Sequence, residues 1–227
     1  MSAPEPARPS ASELNPASRV PRTTTARPTW LIVIDPQRIF ADPSSDWASP
    51  FFDEAMGHIA GLAAMFGPER TIVTRWLPTA DRSTAWGEYF RTWPFADVPA
   101  DDPLYELVDA ARGLSAHPTV DEPTFGKWGP QLAAAIAGAE GSAGSAGSAG
   151  HGPTRIVLAG VSTDCCVIAT ALAAADAGVR VDLAVDACAP SSAENGAAAL
   201  HVMGLFAPQI VPLTSADLGI PSKLSPS

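Results

Sequence analysis

The chain has 227 residues, 46% hydrophobic and 17% charged, which is enough to enclose one full core, and it holds no apolar run near the roughly 18 residues that a membrane helix needs. Its formal charge of -10 understates the acidity of the body: past residue 29 there are 10 basic and 22 acidic residues, a balance that repels nucleic acid and anionic membranes and excludes both as partners. Three cysteines, two of them adjacent, make no disulfide framework, and no export signal is visible, so a reducing cytoplasm is the expected compartment.

Residues 1–29 contain six Pro and no aromatic residue, cannot bury enough surface to offset the entropy of ordering, and read as a disordered tail. From Trp30 the pattern changes. Trp30-Leu31-Ile32-Val33-Ile34 is a short continuous apolar run of the kind found in a strand buried on both faces, and it ends at Asp35-Pro36. Similar runs recur at 71–74, 155–159, 181–185 and 210–213. Helical patterns are expected over about 50–66, 83–92, 103–112, 129–137, 164–177 and 191–205. Alternating β and α units imply an α/β fold with a parallel sheet and right-handed crossovers. Ala171 to Ala177 is nearly all small residues, which lets that helix pack close to the sheet. The Gly-Ser-Ala triplets of 141–149 read as a flexible surface insertion, placed at 138–152, within a domain spanning 30–215 and followed by a tail over 216–227.

In a parallel α/β sheet ligands bind outside the carboxyl ends of the strands. Asp35 follows the first strand, and Cys165-Cys166 follows the strand at 155–159 at the start of a helix. Unpaired backbone N–H groups at a helix start stabilise a thiolate and can bring its pKa from about 8.5 into the neutral range, so one of the two thiols is a candidate nucleophile. His58, His117, His151 and His201 do not follow a core strand, which leaves a carboxylate with a cation partner as the means of activating the thiol. The chain has two lysines, Lys223 in the C-terminal tail and Lys127 in the loop Thr124-Phe125-Gly126-Lys127-Trp128-Gly129-Pro130.

The residues Asp35-Pro36-Gln37-Arg38-Ile39-Phe40 resemble the opening motif of the isochorismatase-like cysteine hydrolases, and Gly160-Val161-Ser162-Thr163-Asp164-Cys165-Cys166-Val167 resembles their nucleophile motif. The resemblance spans about residues 30 to 213. It implies a three-layer α/β/α fold on a Rossmann-like, mainly parallel sheet of about six strands. It also implies that Asp35 is the general base, Cys166 the nucleophile and Lys127 the cation beside them, with Cys165 at a variable position. A cis peptide is implied between Val161 and Ser162, turning the Ser162 and Cys166 N–H groups toward one oxyanion. Phe40, Trp76 and Trp128 are the aromatic residues expected to line the pocket.

This chain departs from the family pattern at two places. Family members commonly place the lysine three residues before the aromatic of a Tyr-Ser-x-Phe motif, where alignment of Phe125 and Trp128 puts Glu122. The nicotinamidase branch carries an Asp and two His after the second strand, whereas Arg75-Trp76-Leu77-Pro78-Thr79-Ala80-Asp81 has no His, and one carboxylate does not make a zinc site. The expectation is therefore a metal-independent, cofactor-free amidase, homo-oligomeric by resemblance, that cleaves a small amide (C–N bond) through a thioester. The alternative is a degenerate family member that binds a ligand or partner without turnover. A nucleotide-binding oxidoreductase is disfavoured, because Asp-Pro rather than a Gly-rich fingerprint follows the first strand.

Overall fold

The structure, a computed structural model, describes residues 29–142 and 155–219. The N-terminal tail up to residue 28, the part of the expected insertion from 143 to 152, and residues 220–227 lie outside the described residues. Six strands form one parallel sheet: β1 (Trp30–Ile34), β2 (Thr71–Trp76), β3 (Val120–Glu122), β4 (Arg155–Val161), β5 (Arg180–Ala189) and β6 (Ile210–Leu213), in the order β3-β2-β1-β4-β5-β6. Among the described residues the helices of eight residues or more are α1 (Phe52–Phe66), α2 (Ala85–Thr92), α3 (Pro130–Ser142), α4 (Ile168–Asp176) and α5 (Ala193–Gly204).

Side chains of β1 explain the layering. Trp30, Ile32 and Ile34 point into a core closed by Leu132 and Ile136 of α3, Ala171 and Ala174 of α4 and Leu200 and Met203 of α5. Leu31 and Val33 point into a second core closed by Ile59 and Leu62 of α1 with Phe90 and Tyr105. A strand buried on both faces must be apolar at every position, which is why its run is continuous rather than alternating. The chain winds outward from β1 to β2 and β3, then returns to β4 on the other side of β1. The carboxyl ends of β1 and β4 therefore frame the switch point, where open α/β sheets bind ligands.

The expected strands and most expected helices occur, with three differences. β3 was not anticipated, because Val120-Asp121-Glu122 is a three-residue edge strand with no apolar run; Asp121 pairs with Arg75 across the ladder at 2.6 Å instead. The helix expected at 103–112 is two separate tight turns, Pro103–Tyr105 and Asp109–Ala111. Its backbone is spent elsewhere: Arg38 N–H donates to Glu106 C=O, Val108 N–H donates to Pro36 C=O, and Gln37 bridges Leu107. Finally, α3 continues to Ser142, so residues 138–142, assigned from composition to the flexible insertion, are helical.

Gly160 sits in β4 at φ +122, where the register with β5 shifts, and a Cβ built there would run into the Ile34 backbone. Glycine is thus required by both conformation and close approach. Gly160→Ala is expected to destabilise the fold by about 3 kcal/mol, read as a fall in the denaturation midpoint. A change within 0.5 kcal/mol, on the order of a neutral surface substitution, would contradict this account.

Candidate active site

Asp35 leaves β1 in the left-handed region, φ 47, a conformation that Asp tolerates better than most residues. Its carboxylate is fully buried. Thr74 of β2 fixes it from both sides, accepting from the Asp35 N–H at 3.2 Å and donating its hydroxyl to Oδ1 at 2.6 Å. The Lys127 ammonium stands 3.1 Å from Oδ2, both side chains having no exposed surface. That ammonium also donates to the carbonyls of Thr124 and Phe125. Oδ2 is left without a well-aligned donor, and the Cys166 thiol lies within hydrogen-bonding reach of the carboxyl.

Lys127 reaches this point because its loop is tied to the nucleophile turn. Thr170 on α4 donates to the Cys166 carbonyl at 2.6 Å and accepts the Lys127 N–H at 2.9 Å, so one hydroxyl couples the two segments. Gly126 lies against the Ala169 carbonyl, where a Cβ would be crowded at 3.3 Å. Glu122, the residue aligned with the family lysine, ends β3 instead, and its carbonyl accepts the Leu77 N–H. The lysine therefore enters from the middle of the loop rather than from the end of the strand.

The cysteines occupy Thr163–Val167, a single wide turn with i→i+5 geometry that precedes α4, rather than the first turn of the α-helix itself. The Val161–Ser162 peptide is cis. Cys165 is half-buried and Cys166 buried. The expectation of a thiolate stabilised by the helix start does not describe Cys166. Its hydrogen bond to the Cys165 sulfur, its burial and the Asp35 charge push the Cys166 thiol well up, with Lys127 opposing them. Cys165 moves the other way, held below its ordinary value by the hydrogen bond from Cys166 against the effect of burial. Asp35 is raised above 3.8 by burial, which outweighs Lys127 and Thr74. The buried Cys166 thiol thus holds its proton more firmly than Cys165 does, and it lies beside the Asp35 carboxyl. Cys165 is the more readily ionised and more accessible thiol, so total thiol labelling does not report on Cys166.

Above Cys165 and Cys166 opens a cavity of about 380 Å³. Phe40 and Trp76 line it, whereas Trp128 does not; it packs instead into the α3–α4 side of the core. The aromatic lining that sequence reading missed is Trp47, Tyr89, Trp93 and Phe125. Tyr89 and Trp93 come from the long excursion between β2 and β3, Trp47 from the segment after β1 and Phe125 from the loop after β3, with the Tyr89 and Phe125 rings meeting at 5.6 Å. Trp86-x-x-Tyr89-Phe90-x-x-Trp93 was the available signal, an aromatic spacing of three and four on one short helix. Gln37 was also missed. It is fully buried and saturates the Trp76 backbone, accepting its N–H at 2.8 Å and donating to its C=O at 3.0 Å, which holds the cavity wall to the Asp35 turn.

Among the described residues no group of three His, Cys, Asp or Glu side chains is placed to hold a metal ion, and Asp81 after β2 is occupied by Ser83. No described helix is long and apolar enough to cross a membrane.

The solved structures similar to this chain include a cysteine hydrolase from Pseudomonas syringae, with a TM-score of 0.66 and 18% identity, covering 84% of this chain and 90% of that one. An N-carbamoylsarcosine amidase from Thermoplasma acidophilum matches with a TM-score of 0.61 at 18% identity, over 83% of this chain and 97% of that one. A pyrazinamidase of Pyrococcus horikoshii in complex with zinc matches with a TM-score of 0.60 at 24% identity, over 83% and 99%. At these identities the likeness is one of fold. No curated protein matches the sequence. The isochorismatase domain family matches residues 29–217, and with the six-stranded parallel sheet that match makes this chain a member of the isochorismatase-domain family of hydrolases.

Proposed function

We propose that this chain is a cysteine-dependent hydrolase of a small amide, working through a thioester and without a bound metal. The observation that carries the reading is the buried Asp35–Lys127 pair at 3.1 Å, placed against the Cys166 thiol beneath an aromatic cavity. A buried ion pair is costly to hold, and here it maintains a carboxylate next to a thiol that burial keeps protonated.

In this mechanism the amide carbonyl enters the cavity and Asp35 Oδ2 takes the thiol proton as Cys166 Sγ attacks the carbonyl carbon. The Ser162 and Cys166 N–H groups hold the oxyanion, each such donor lowering an acyl-transfer barrier by about 3 kcal/mol. Asp35, now protonated, returns the proton to the departing nitrogen, and the C–N bond breaks to leave an acyl–Cys166 thioester. Water enters in place of the amine, Asp35 takes its proton, and hydrolysis releases the carboxylic acid and restores the thiol. The Lys127 ammonium offsets the Asp35 carboxylate at a point where neither side chain has exposed surface. The lack of three convergent metal-ligating side chains among the described residues supports the metal-independent form of the reading.

The test is ammonia release from a panel of small primary amides, with the protein quenched during turnover and its mass measured. The expected result is an acyl adduct on the peptide carrying Cys165 and Cys166, retained in Cys165→Ala and lost in Cys166→Ala. Turnover with the adduct on Cys165, or turnover unaffected by Cys166→Ala, would overturn the assignment.

A further inference from the structure

The cavity walls combine aromatic rings with carboxylates. Trp47 stands at their centre, stacked on Phe40 with ring centroids 6.3 Å apart and meeting the rings of Trp76, Tyr89 and Trp93 at 5.5, 5.7 and 5.9 Å. The neighbouring Asp46 also lines the cavity, and its carboxylate is exposed and unpaired among the described residues. Asp164 adds a second carboxylate from the nucleophile turn, fixed by the Ser191 N–H at 2.8 Å and hydroxyl at 2.6 Å. No described Lys, Arg or His lines the space, and the Lys127 charge beneath its floor is already matched by Asp35.

An anionic substituent would enter a space with two carboxylates and no free cation. A neutral apolar one would gain only burial. A cationic nitrogen would gain both the carboxylates and the electron-rich ring faces, the combination by which aromatic cages hold ammonium groups. The acidic body adds a long-range field of the same sign preference.

We infer that the substrate is a small amide bearing an ammonium group within a few bonds of its carbonyl, seated between the Trp47 cluster and the carboxylates of Asp46 and Asp164. The amide part of this inference rests on the proposed hydrolase reading; the ammonium part rests on the cavity walls.

The two are separated by measuring binding to full-length Cys166→Ala protein, by calorimetry or tryptophan fluorescence, with three probes. These are (trimethylammonio)acetamide, its uncharged carbon isostere tert-butylacetamide, and the anion succinamate. The ammonium probe is expected to bind about tenfold more tightly than its isostere, with the anion weakest. Asp46→Asn in the same background and added salt are each expected to shrink that preference several-fold. Equal or tighter binding of the uncharged or anionic probe, an undiminished preference in Asp46→Asn, or no saturable binding of the ammonium probe overturns the inference. If the ammonium preference holds while the wild-type protein releases no ammonia from the bound probe or from any amide of the panel, the hydrolase reading fails and the ligand class stands. If the wild type hydrolyses the uncharged probe at least as well, the ligand class fails and the hydrolase reading stands.

Discussion

Cys166→Ala is expected to lower amide hydrolysis by about a thousandfold or more while leaving the fold in place. The side chain sits in a packed core and loses one sulfur, so a cost of about 1 kcal/mol and a melting point lower by about 2–4 °C are the expected structural effects. Asp35→Asn is expected to match the loss of turnover, because an amide can neither take the thiol proton nor return it to the leaving nitrogen. Cys165→Ala is expected to keep most of the turnover, since it is Cys166, not Cys165, that hydrogen-bonds the Asp35 carboxyl. If the double variant Asp35→Asn, Cys166→Ala were slower than either single one by the product of their losses, the two residues would not act as one unit.

The same site fixes a pH dependence. Burial raises the Asp35 carboxyl above its ordinary 3.8, so the proposed base becomes available only at a correspondingly higher pH. The acidic limb of kcat/KM is expected to lie above the ordinary carboxylate range, rising with pH as Asp35 loses its proton. A limb at or below 3.8 would mean that the Lys127 charge outweighs burial. Alkylation should give a different profile. Cys165, with its thiol held down by its neighbour, is labelled at lower pH than Cys166. Inactivation by a thiol reagent therefore reports on a blocked cavity as readily as on a lost nucleophile, and the modified peptide must be mapped residue by residue.

How much of this was legible in the sequence depends on whether each feature is local. β1, β4 and the ends that carry Asp35 and Cys166 are continuous apolar runs broken by special residues, and such runs are read directly. The edge strand β3 was invisible because it is held by an Arg75–Asp121 pair across the ladder, not by its own hydrophobicity. The segment at 103–112 has a helical pattern, but its backbone partners lie about 70 residues away at Pro36 to Arg38, and no local signal records that. The site divides in the same way. Lys127 was reached by elimination among two lysines, but its route to Asp35 depends on Thr170, 43 residues further on, tying its loop to the nucleophile turn. Trp128 was expected in the cavity and packs into the core, while its loop neighbour Phe125 lines the cavity; residues this close in a loop can face either way. The direction of the Cys166 shift also escaped, because it depends on how the neighbouring Cys165 sulfur is turned toward it, on burial and on Asp35, none of which the local sequence records.

Lys127→Met is expected to be the most destabilising single change at the site, at about 4 kcal/mol near neutral pH, because it strands a buried carboxylate. Lys127 and Asp35 have no exposed side-chain surface, so water cannot replace the lost partner. Met fills much of the same volume, which separates loss of charge from loss of packing. The carboxyl then has burial raising its pKa without the ammonium that lowers it, so its folded-state value climbs further above the unfolded one. The folded state consequently holds a proton that the unfolded state releases. The stability of the variant therefore falls by about 1.4 kcal/mol per pH unit from the unfolded carboxylate value up to its raised folded value, and the gap to wild type opens above the wild-type Asp35 value, which is itself raised. Asp35→Asn in the same background removes the titrating group, and Lys127→Met with Asp35→Asn is expected to recover most of the stability, lose the pH slope and remain without turnover. A Lys127→Met protein whose stability follows pH from about 4 to about 7 in parallel with the wild type, within a fraction of about 1.4 kcal/mol per unit, would show that the ammonium and carboxylate are not energetically coupled and would remove the basis for Lys127 as the partner of Asp35.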